Sequence, residues 1–507
     1  MTQGDFVKRI RNIMRTDSGV NGDAQRIEQM VWMIFLKVYD AQESEWEYKA
    51  FKAKRKYASI IPEEFRWRNW APSRDADGKE RGTVLTGDEL LRFVARLFDC
   101  LRKLPVTPDT PLRQAIVREV FGEVNQYQKN GIVLREVVNV VDEIDFSDAQ
   151  DRHLFGDIYE GILKGLQNAG SAGEFYTPRA LTDFIVSRLD PKLGERFGDF
   201  SCGTGGFLTS TLNHLEKQVK TTEDHVKFQN AVLGQEWKPL PYLLGVTNLF
   251  LHGVDEPNLR HMDSLGSRLR DWKADCDVIG MNPPFGGATD ASVRANFPTE
   301  FQTSETADLF MALIMQRLKR GGRAGVIIPD GFMFGTDGAK LALKRKMLRD
   351  FNLHTVVRLP ESVFAPYTPT ATNILFFDRP EATPAEGTFA TRKTWFYRLD
   401  MPDGYRHFSK TKPMLLKHCD PILAWWDKRA EIVDDEVGEK SRCFTVRELL
   451  DLNCNFDQCK YPQETVEVLP PKELIARYRE ERARADVEIQ SALDAILEKI
   501  GETGEKE

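Results

Sequence analysis

From about residue 155 onward, helical runs alternate with short apolar segments that end in turn residues. Residues 276–281 and 325–329 are two such segments, and residues 373–377 continue the pattern. This alternation indicates βαβ units, in which helices cover a mainly parallel sheet. It therefore predicts an α/β fold, Rossmann-like and mostly parallel, over residues 151–470.

The regions on either side of this fold are predicted to be helical. Before it, residues 1–150 form a helical domain, because apolar residues recur at three- and four-residue steps in two stretches separated by a polar segment, 62–87. Residues 133–141 fit a helix or a strand, and we favour a helix. After Pro471, a charged helix over 471–507 carries a short coiled-coil-like seam of Ile489, Leu493, Ile496 and Ile500. The seam packs on another subunit or folds back on its own domain.

Composition restricts the classes of protein and of site. Hydrophobic residues make up 41% and charged residues 29% of the 507 residues, as in globular proteins. Neither a signal peptide nor a membrane-length apolar run is evident, so we expect a cytoplasmic protein. The seven scattered cysteines and eight histidines predict no disulfide framework and no metal site. The net charge of −7 predicts that local basic patches or a partner supply much of any grip on DNA.

A glycine-rich turn follows an apolar segment that ends at Asp199. Glycines 203, 205 and 206 allow a tight turn and a close backbone approach to a ligand, and the helix that follows favours negative groups at its N-terminus. A dinucleotide fingerprint would need glycine at position 208, where Leu208 stands. No P-loop pattern occurs either. By itself the turn is a weak signal.

A second acidic residue, Glu236, stands at the end of the next predicted strand. A carboxylate there can accept hydrogen bonds from both ribose hydroxyls of a nucleoside. Its distance from the glycine turn exceeds the roughly 20 residues of a minimal unit, so a polar insertion over 217–228 separates them. A simply solvated strand-end glutamate is the alternative.

The third feature is a buried strand that ends in Asn282-Pro283-Pro284-Phe285. The two prolines fix φ and remove two N–H donors, which leaves the Asn282 amide oxygen and the Pro283 carbonyl as acceptors. An exocyclic amine can donate both hydrogens to them, and Phe285 offers a flat face for a base. Enzymes that act on a base extrude it and hold it by such contacts. A proline-stiffened turn without chemistry is the alternative.

In this order, the three features resemble N6-adenine DNA methyltransferases whose cofactor motifs precede the catalytic one. Within that class the chain resembles the modification subunit of type I restriction–modification systems. The segments that carry this likeness are Phe175-Tyr-Thr-Pro-Arg179, Cys202-Gly-Thr-Gly-Gly-Phe-Leu208, Asn248-Leu-Phe-Leu-His-Gly253 and Gly321-Gly-Arg-Ala-Gly-Val-Ile-Ile-Pro-Asp-Gly331. The resemblance makes 151–470 the catalytic domain.

The resemblance implies S-adenosylmethionine as the cofactor and assigns residues to it. The methionine end is lined by Glu174, Phe175, Tyr176, Thr177, Pro178 and Arg179. The amino-acid and sugar portions are held by Asp199, Cys202, Gly203, Thr204, Gly205 and Gly206, with Cys202 serving as packing. Glu236 binds the ribose, and Asp263 faces the adenine ring. Phe200 departs from the family, which commonly has proline there.

The resemblance also implies the reaction and the partners. Asn282, Pro283, Pro284 and Phe285 act on an adenine flipped out of double-stranded DNA. Phe364 or Tyr367 is a further stacking candidate, and ordinary packing is the alternative for both. A separate specificity subunit reads the target, a restriction subunit completes the complex, and two copies of this chain serve each specificity subunit.

Other classes of function remain open at this point. A stand-alone adenine methyltransferase would need a recognition domain, for which little room remains after Arg379. A protein-glutamine methyltransferase usually has tyrosine after Asn-Pro-Pro and lacks the large N-terminal domain. A non-catalytic assembly or DNA-binding subunit would have no need of an intact Asn-Pro-Pro-Phe.

Overall fold

The computed structural model describes residues 3–74, 79–82, 84–144, 176–336, 338–365, 368, 370–409, 411–434, 438–461 and 471–504. The chain divides into two compact units, Met1–Lys460 and Tyr461–Glu507. The predicted boundary near residue 150 lies outside the described residues. Both predicted domains, the helical one and the α/β one, therefore contribute to the first unit.

Ten strands among the described residues form one sheet in the order β3-β2-β1-β4-β5-β7-β6-β8-β10-β9. Their bounds are β1 Phe197–Asp199, β2 Val232–Glu236, β3 Leu259–His261, β4 Cys276–Met281, β5 Leu318–Pro329, β6 Asn352–Arg358, β7 Thr372–Asp378, β8 Lys393–Arg398, β9 Ile432–Asp434 and β10 Gly438–Thr445. Neighbouring strands from β3 to β5 run parallel, and β7 is antiparallel to both β5 and β6. The predicted Rossmann-like α/β fold is confirmed.

Strands β8, β10 and β9 widen the sheet beyond β6. β8 is parallel to β6, whereas β10 is antiparallel to both β8 and β9. The carboxyl ends of β1, β2, β4 and β6 consequently lie at one edge of the sheet, called here the carboxyl edge. Ligands of open α/β sheets bind outside this edge, where the strand order reverses. The reversal falls between β1 and β4.

Helices cover both faces of the sheet, and a buried hydrophobic cluster lies under each layer. The helices that belong to the sheet region are Arg179–Leu189, Gly206–Glu216, Thr222–Gln229, Pro239–Leu251, Ala291–Arg294, Thr306–Arg317, Asp330–Phe334, Gly338–Asp350, Asp420–Trp426 and Val446–Asp451. The polar insertion predicted over 217–228 overlaps the helix Thr222–Gln229. Thr221 and Asp224 cap that helix reciprocally.

The N-terminal region is helical, as predicted. Its helices are Gln3–Met14, Gly22–Lys52, Trp67–Trp70, Gly87–Arg102, Leu112–Glu123 and Gly131–Asp142. The segment that could have been helix or strand is the last of these. The Asn130 side chain caps it by accepting the amides of Ile132 and Val133.

An aromatic cluster lies within the segment that looked merely polar, 62–87. The Trp67 and Trp70 rings are 5.1 Å apart, and the Trp70 ring is 5.4 Å from that of Phe93 on the helix Gly87–Arg102. All three side chains are buried. The segment therefore forms part of the core of the N-terminal helices.

The N-terminal helices pack against the sheet region through one apolar surface with polar contacts at its margin. The helix Gly22–Lys52 brings Phe35, Tyr39 and Trp46 against Phe250, with ring centroids 6.0–6.4 Å apart. The Trp46 indole donates to Asp255 at 2.9 Å. The buried cluster is continuous from one region to the other.

Among the described residues of the second unit, the helix Pro471–Gly504 lies where a helix was predicted. Ion pairs one turn apart, such as Arg477 with Glu481, line its polar side. Of the predicted seam, the Ile489 and Leu493 side chains are 57% and 48% exposed. The side chains of Ile496 and Ile500 lie outside the described residues. Across the described ranges, no helix has the length and apolarity to cross a membrane.

Candidate active site

The glycine turn joins β1 to the helix Gly206–Glu216 at the carboxyl edge. Gly203 and Gly205 have φ of +52° and +82°, in the left-handed region that favours glycine. A Cβ on Gly205 would meet nothing closer than the Gly245 Cα at 3.7 Å. Backbone conformation, and not lack of space, therefore calls for glycine at position 205.

The Glu236 carboxylate ties the end of β2 to this turn. It accepts the Gly203 amide on Oε2 and the Lys238 amide on Oε1, both at 2.8 Å. The side chain is buried, so the solvated alternative is wrong. Burial raises the pKa of Glu236, and the amide bonds oppose that shift.

Asp199 at the end of β1 is a second buried carboxyl group. It is 1% exposed and accepts the Ser201 amide at 3.2 Å. Burial, with a further contribution from the charge of Glu236, raises the pKa of Asp199 well above its usual range. Among the described residues no cation pairs with Asp199. The turn therefore holds two buried acids, of which Glu236 has the charge of Lys238 nearby, whereas no described cation acts on Asp199.

Asn282 follows β4 and is held from two sides. Its Nδ2 donates to the Thr177 Oγ1 at 3.0 Å, and its backbone carbonyl accepts the Ser201 hydroxyl at 3.3 Å. Its Oδ1 is buried, and no group in the described part of the chain donates to it. A buried carbonyl oxygen without a donor costs roughly 1–3 kcal/mol. The site thus presents an acceptor that a bound donor would satisfy.

The aromatic residue of the same motif is held by the loop after β6. The Phe285 ring meets the Phe364 ring edge-on, with centroids 5.5 Å apart. Phe364 is buried and Phe285 only partly so. Tyr367, the other stacking candidate, lies outside the described residues. Pro283 is buried and Pro284 half-buried, which is consistent with a stiff backbone after Asn282.

One pocket brings together eight of the eighteen predicted site residues. Its lining comprises Tyr176, Thr177, Arg179, Asp199, Ser201, Cys202, Thr204, Gly206, Phe207 and Asn282. Glu174 and Phe175 lie outside the described residues. Pro178 precedes the helix Arg179–Leu189 as its N-cap. Asp263 does not line this pocket, and its carboxylate accepts the Leu265 amide. Within the described ranges, no group of three His, Cys, Asp or Glu residues could hold a metal ion.

Two contributors were not singled out from the sequence. Ser201 stands in the glycine turn between predicted residues and binds the Asn282 carbonyl. Arg317, at the end of the helix Thr306–Arg317, lies 4.0 Å above the Phe200 ring and pairs with Asp275. Phe200 stands where the family commonly has proline, and its ring makes a cation–π contact with Arg317. The place of Ser201 within the glycine turn could have identified it from the sequence. No sequence signal points to Arg317.

Fold and site together define a class. The sheet order, the glycine turn after β1, the acid at the end of β2 and Asn-Pro-Pro-Phe after β4 are those of a DNA methyltransferase. The N-6 DNA Methylase family model matches residues 150–467, and the HsdM N-terminal domain model matches residues 4–141. The chain therefore belongs to the N-6 DNA methylase family, and within it to the methylase subunits of type I restriction–modification systems.

Individual relatives agree with this assignment over nearly the whole chain. The methylase subunit of the type I restriction enzyme EcoEI from Escherichia coli is 43% identical and aligned over 98% of each chain. The structure of a modification subunit from Vibrio vulnificus YJ016 is 38% identical, with a TM-score of 0.74 over 88% of this chain and 92% of its own. A chain from a study of complex assembly in a type I system is 34% identical, with a TM-score of 0.76 over 97% of both chains.

Proposed function

We propose that this chain transfers the methyl group of S-adenosylmethionine to the N6 amine of an adenine rotated out of double-stranded DNA. The observation that carries the proposal is the buried Asn282 Oδ1, which lacks a donor among the described residues. It lies in the pocket that also contains the glycine turn. An exocyclic amine supplies the missing donor.

The residues of the turn fit the cofactor by charge and by shape. Asp199 and Glu236 are buried acids with raised pKa values, and a ligand that carries a sulfonium and an ammonium group compensates them. Glycines in the left-handed conformation keep Cβ atoms off the surface where the ligand binds. The described residues that hold the cofactor in this proposal are Tyr176, Thr177, Pro178, Arg179, Asp199, Cys202, Gly203, Thr204, Gly205, Gly206, Glu236 and Asp263.

The protein's own part in the reaction is to bind and orient the amine. The cofactor supplies an already activated methyl group. Asn282 Oδ1 and the Pro283 carbonyl oxygen accept the two N–H bonds of the amine, which directs its lone pair away from them. Phe285 stacks on the base and offsets part of the few kcal/mol that extrusion costs. Alignment of the reacting atoms can contribute roughly 7–11 kcal/mol, so no nucleophilic side chain is required.

The subunit acts with partners in this proposal. A specificity subunit reads the DNA target, a restriction subunit completes the complex, and two copies of this chain bind each specificity subunit. The exposed apolar side chains Ile489 and Leu493 on the C-terminal helix support a binding partner. The complex protects host DNA and works in the cytoplasm, where that DNA is.

The test is methyl transfer by the assembled subunits. The chain is co-expressed with the neighbouring specificity gene, incubated with DNA and labelled S-adenosylmethionine, and the product is sequenced for N6-methyladenine. With the specificity subunit we expect methylation at one defined sequence. Without the specificity subunit we expect weak methylation that has no sequence preference. Asn282→Ala should abolish transfer, whereas Asn12→Ala, at an exposed position, should not. Absence of label in the wild-type complex would favour a non-catalytic assembly subunit.

A further inference from the structure

Thr177 belongs to the loop before the helix Arg179–Leu189, far from Asn282 in sequence. The two side chains nevertheless share a hydrogen bond of 3.0 Å, and Thr177 is its acceptor. The resemblance assigns Thr177 only to the cofactor. The contact with Asn282 gives it a second connection, to the residue that faces the amine.

The direction of this hydrogen bond matters for the reaction. An amide side chain has one accepting end and one donating end, and the two ends are exchanged by rotation about χ2. The target amine offers only N–H donors to its binding site, because its lone pair must attack the methyl group. Asn282 is therefore useful in one orientation, with Oδ1 towards the amine and Nδ2 away from it.

We propose that Thr177 is a positioning residue that selects this orientation of Asn282 by accepting its Nδ2–H. The inference rests on the proposed function, since it concerns the same amine. The buried Oδ1, with no donor from any described residue, is the complementary observation: one end of the amide is engaged and the other is left for a ligand. A hydroxyl can accept in this way, whereas a methyl group cannot.

The backbone of Asn282 is held separately from its side chain. The Ser201 hydroxyl donates to the Asn282 carbonyl at 3.3 Å, and the Ser201 amide is itself bound to Asp199. The strand β4 fixes the residue from the other side. Loss of the Thr177 hydroxyl should therefore free the amide to rotate while leaving the main chain in place.

The experiment compares Thr177→Val with Thr177→Ser in the assembled complex. Valine keeps the branched shape of threonine but has no hydroxyl, whereas serine keeps the hydroxyl. We expect Thr177→Val to lower kcat by roughly 10- to 100-fold, the cost of a small misplacement of reacting groups. Its affinity for S-adenosylmethionine should change little. Thr177→Ser should recover most of kcat.

Thr394→Val is the matched control, because its buried hydroxyl binds the Leu353 carbonyl far from the site. It should lower the thermal midpoint without changing kcat. The positioning role would be overturned by a Thr177→Val enzyme with wild-type kcat, or by one that loses only cofactor affinity. In either case, methyl transfer by the wild-type complex would still support the proposed function. A wild-type complex that transfers no methyl group to adenine would overturn both.

Discussion

The Phe364 ring stands perpendicular to the Phe285 ring, at an interplanar angle of 89°. Phe364 is 2% exposed, so it is fixed by the core and restricts where the ring of Phe285 can lie. In the proposed reaction Phe285 touches the base, and Phe364 acts through Phe285.

Phe285→Ala should weaken stacking on the target base, which is worth roughly 1–3 kcal/mol per base. We expect kcat/KM for DNA to fall while cofactor affinity stays unchanged. Because Phe364 acts through Phe285, adding Phe364→Ala to Phe285→Ala should cost little more activity. Steady-state kinetics of the four proteins in this cycle measure the coupling, with Phe51→Ala, 79% exposed, as the control. Fully additive losses would contradict the indirect role of Phe364.

Gly205→Ala should weaken cofactor binding through the backbone. A left-handed residue with a side chain costs roughly 1–2 kcal/mol, and Gly205 has φ of +82°. Gly205→Asp should be worse, since a carboxylate also crowds the ligand surface. Calorimetry with S-adenosylmethionine measures both variants. Gly82→Ala, which has open space and no left-handed backbone, is the matched control. Unchanged affinity in both variants would refute the assignment of the turn to the cofactor.

Glu236→Gln should reduce cofactor affinity and alter its dependence on pH. The amide nitrogen of glutamine cannot accept, so one charge-assisted bond, worth roughly 1.5–3 kcal/mol, is lost from the Gly203 or Lys238 amide. Glu236→Ala, which removes both acceptors, should weaken binding further. Calorimetry should reveal both losses at neutral pH.

In the wild-type protein, protonation of Glu236 has a similar effect on the turn, and its raised pKa moves that protonation above the ordinary 4.5. Cofactor affinity should therefore fall as the pH is lowered towards this range. The sign for stability is opposite. Because the folded-state pKa is raised, ionisation of Glu236 destabilises the ligand-free protein as pH rises through the window between the unfolded and folded values. Cofactor affinity and stability are therefore measured against pH for the wild type and for Glu236→Gln, and the difference between the two proteins isolates the Glu236 carboxyl. Parallel pH profiles of the two proteins would contradict this role of Glu236.

Features of the site that depend on neighbouring residues could be predicted from the sequence, whereas contacts between residues distant in sequence could not. The stiff backbone after Asn282 was predictable because two prolines follow it in the sequence, and the acceptor role of its side chain stays a prediction. Glu236 remained open, since the sequence does not reveal that Gly203 folds over its carboxylate. The partner of Phe200 was beyond prediction, because Arg317 lies more than a hundred residues away and meets it only through tertiary packing.

In the fold, too, local patterns were predictable and packing between distant residues was not. Periodic apolar residues predicted the helices Gly22–Lys52 and Gly87–Arg102, since a helix repeats its pattern locally. Trp67 and Trp70 were overlooked because a single short turn carries no period, and their burial depends on Phe93 in a later helix. The pairing of β8 with β6 likewise depends on residues distant in sequence.

Phe200→Leu and Phe200→Ala should separate the cation–π contact from the packing of the ring. Leucine retains much of the apolar volume and loses the interaction with Arg317, worth roughly 0.5–2 kcal/mol. Alanine also leaves a cavity and should cost about 3–5 kcal/mol. Denaturant unfolding should therefore rank wild type, leucine and alanine in that order. The exposed Phe334→Ala is the control. A Phe200→Leu protein as stable as the wild type would show that the contact with Arg317 contributes nothing.

Removal of residues 472–507 should leave S-adenosylmethionine binding unchanged and impair assembly and methylation. The reason is that the exposed apolar side chains of this helix need a partner. Ile489→Asp with Leu493→Asp in the full chain should have the same effect, whereas Arg482→Gln should not. Size-exclusion chromatography with the specificity subunit measures assembly. Efficient methylation of one defined sequence by the chain alone would replace the subunit with a stand-alone enzyme.

The apolar surface between Phe250 and the helix Gly22–Lys52 has a consequence for how the protein melts. Since the two regions share one buried cluster, neither can lose its structure without exposing the matching face of the other to water. We therefore expect the N-terminal helices and the catalytic sheet to unfold together, in a single calorimetric transition. A catalytic fragment that begins near residue 150 would keep Asn282. It would also expose the apolar surface around Phe250 to water, and we expect it to aggregate.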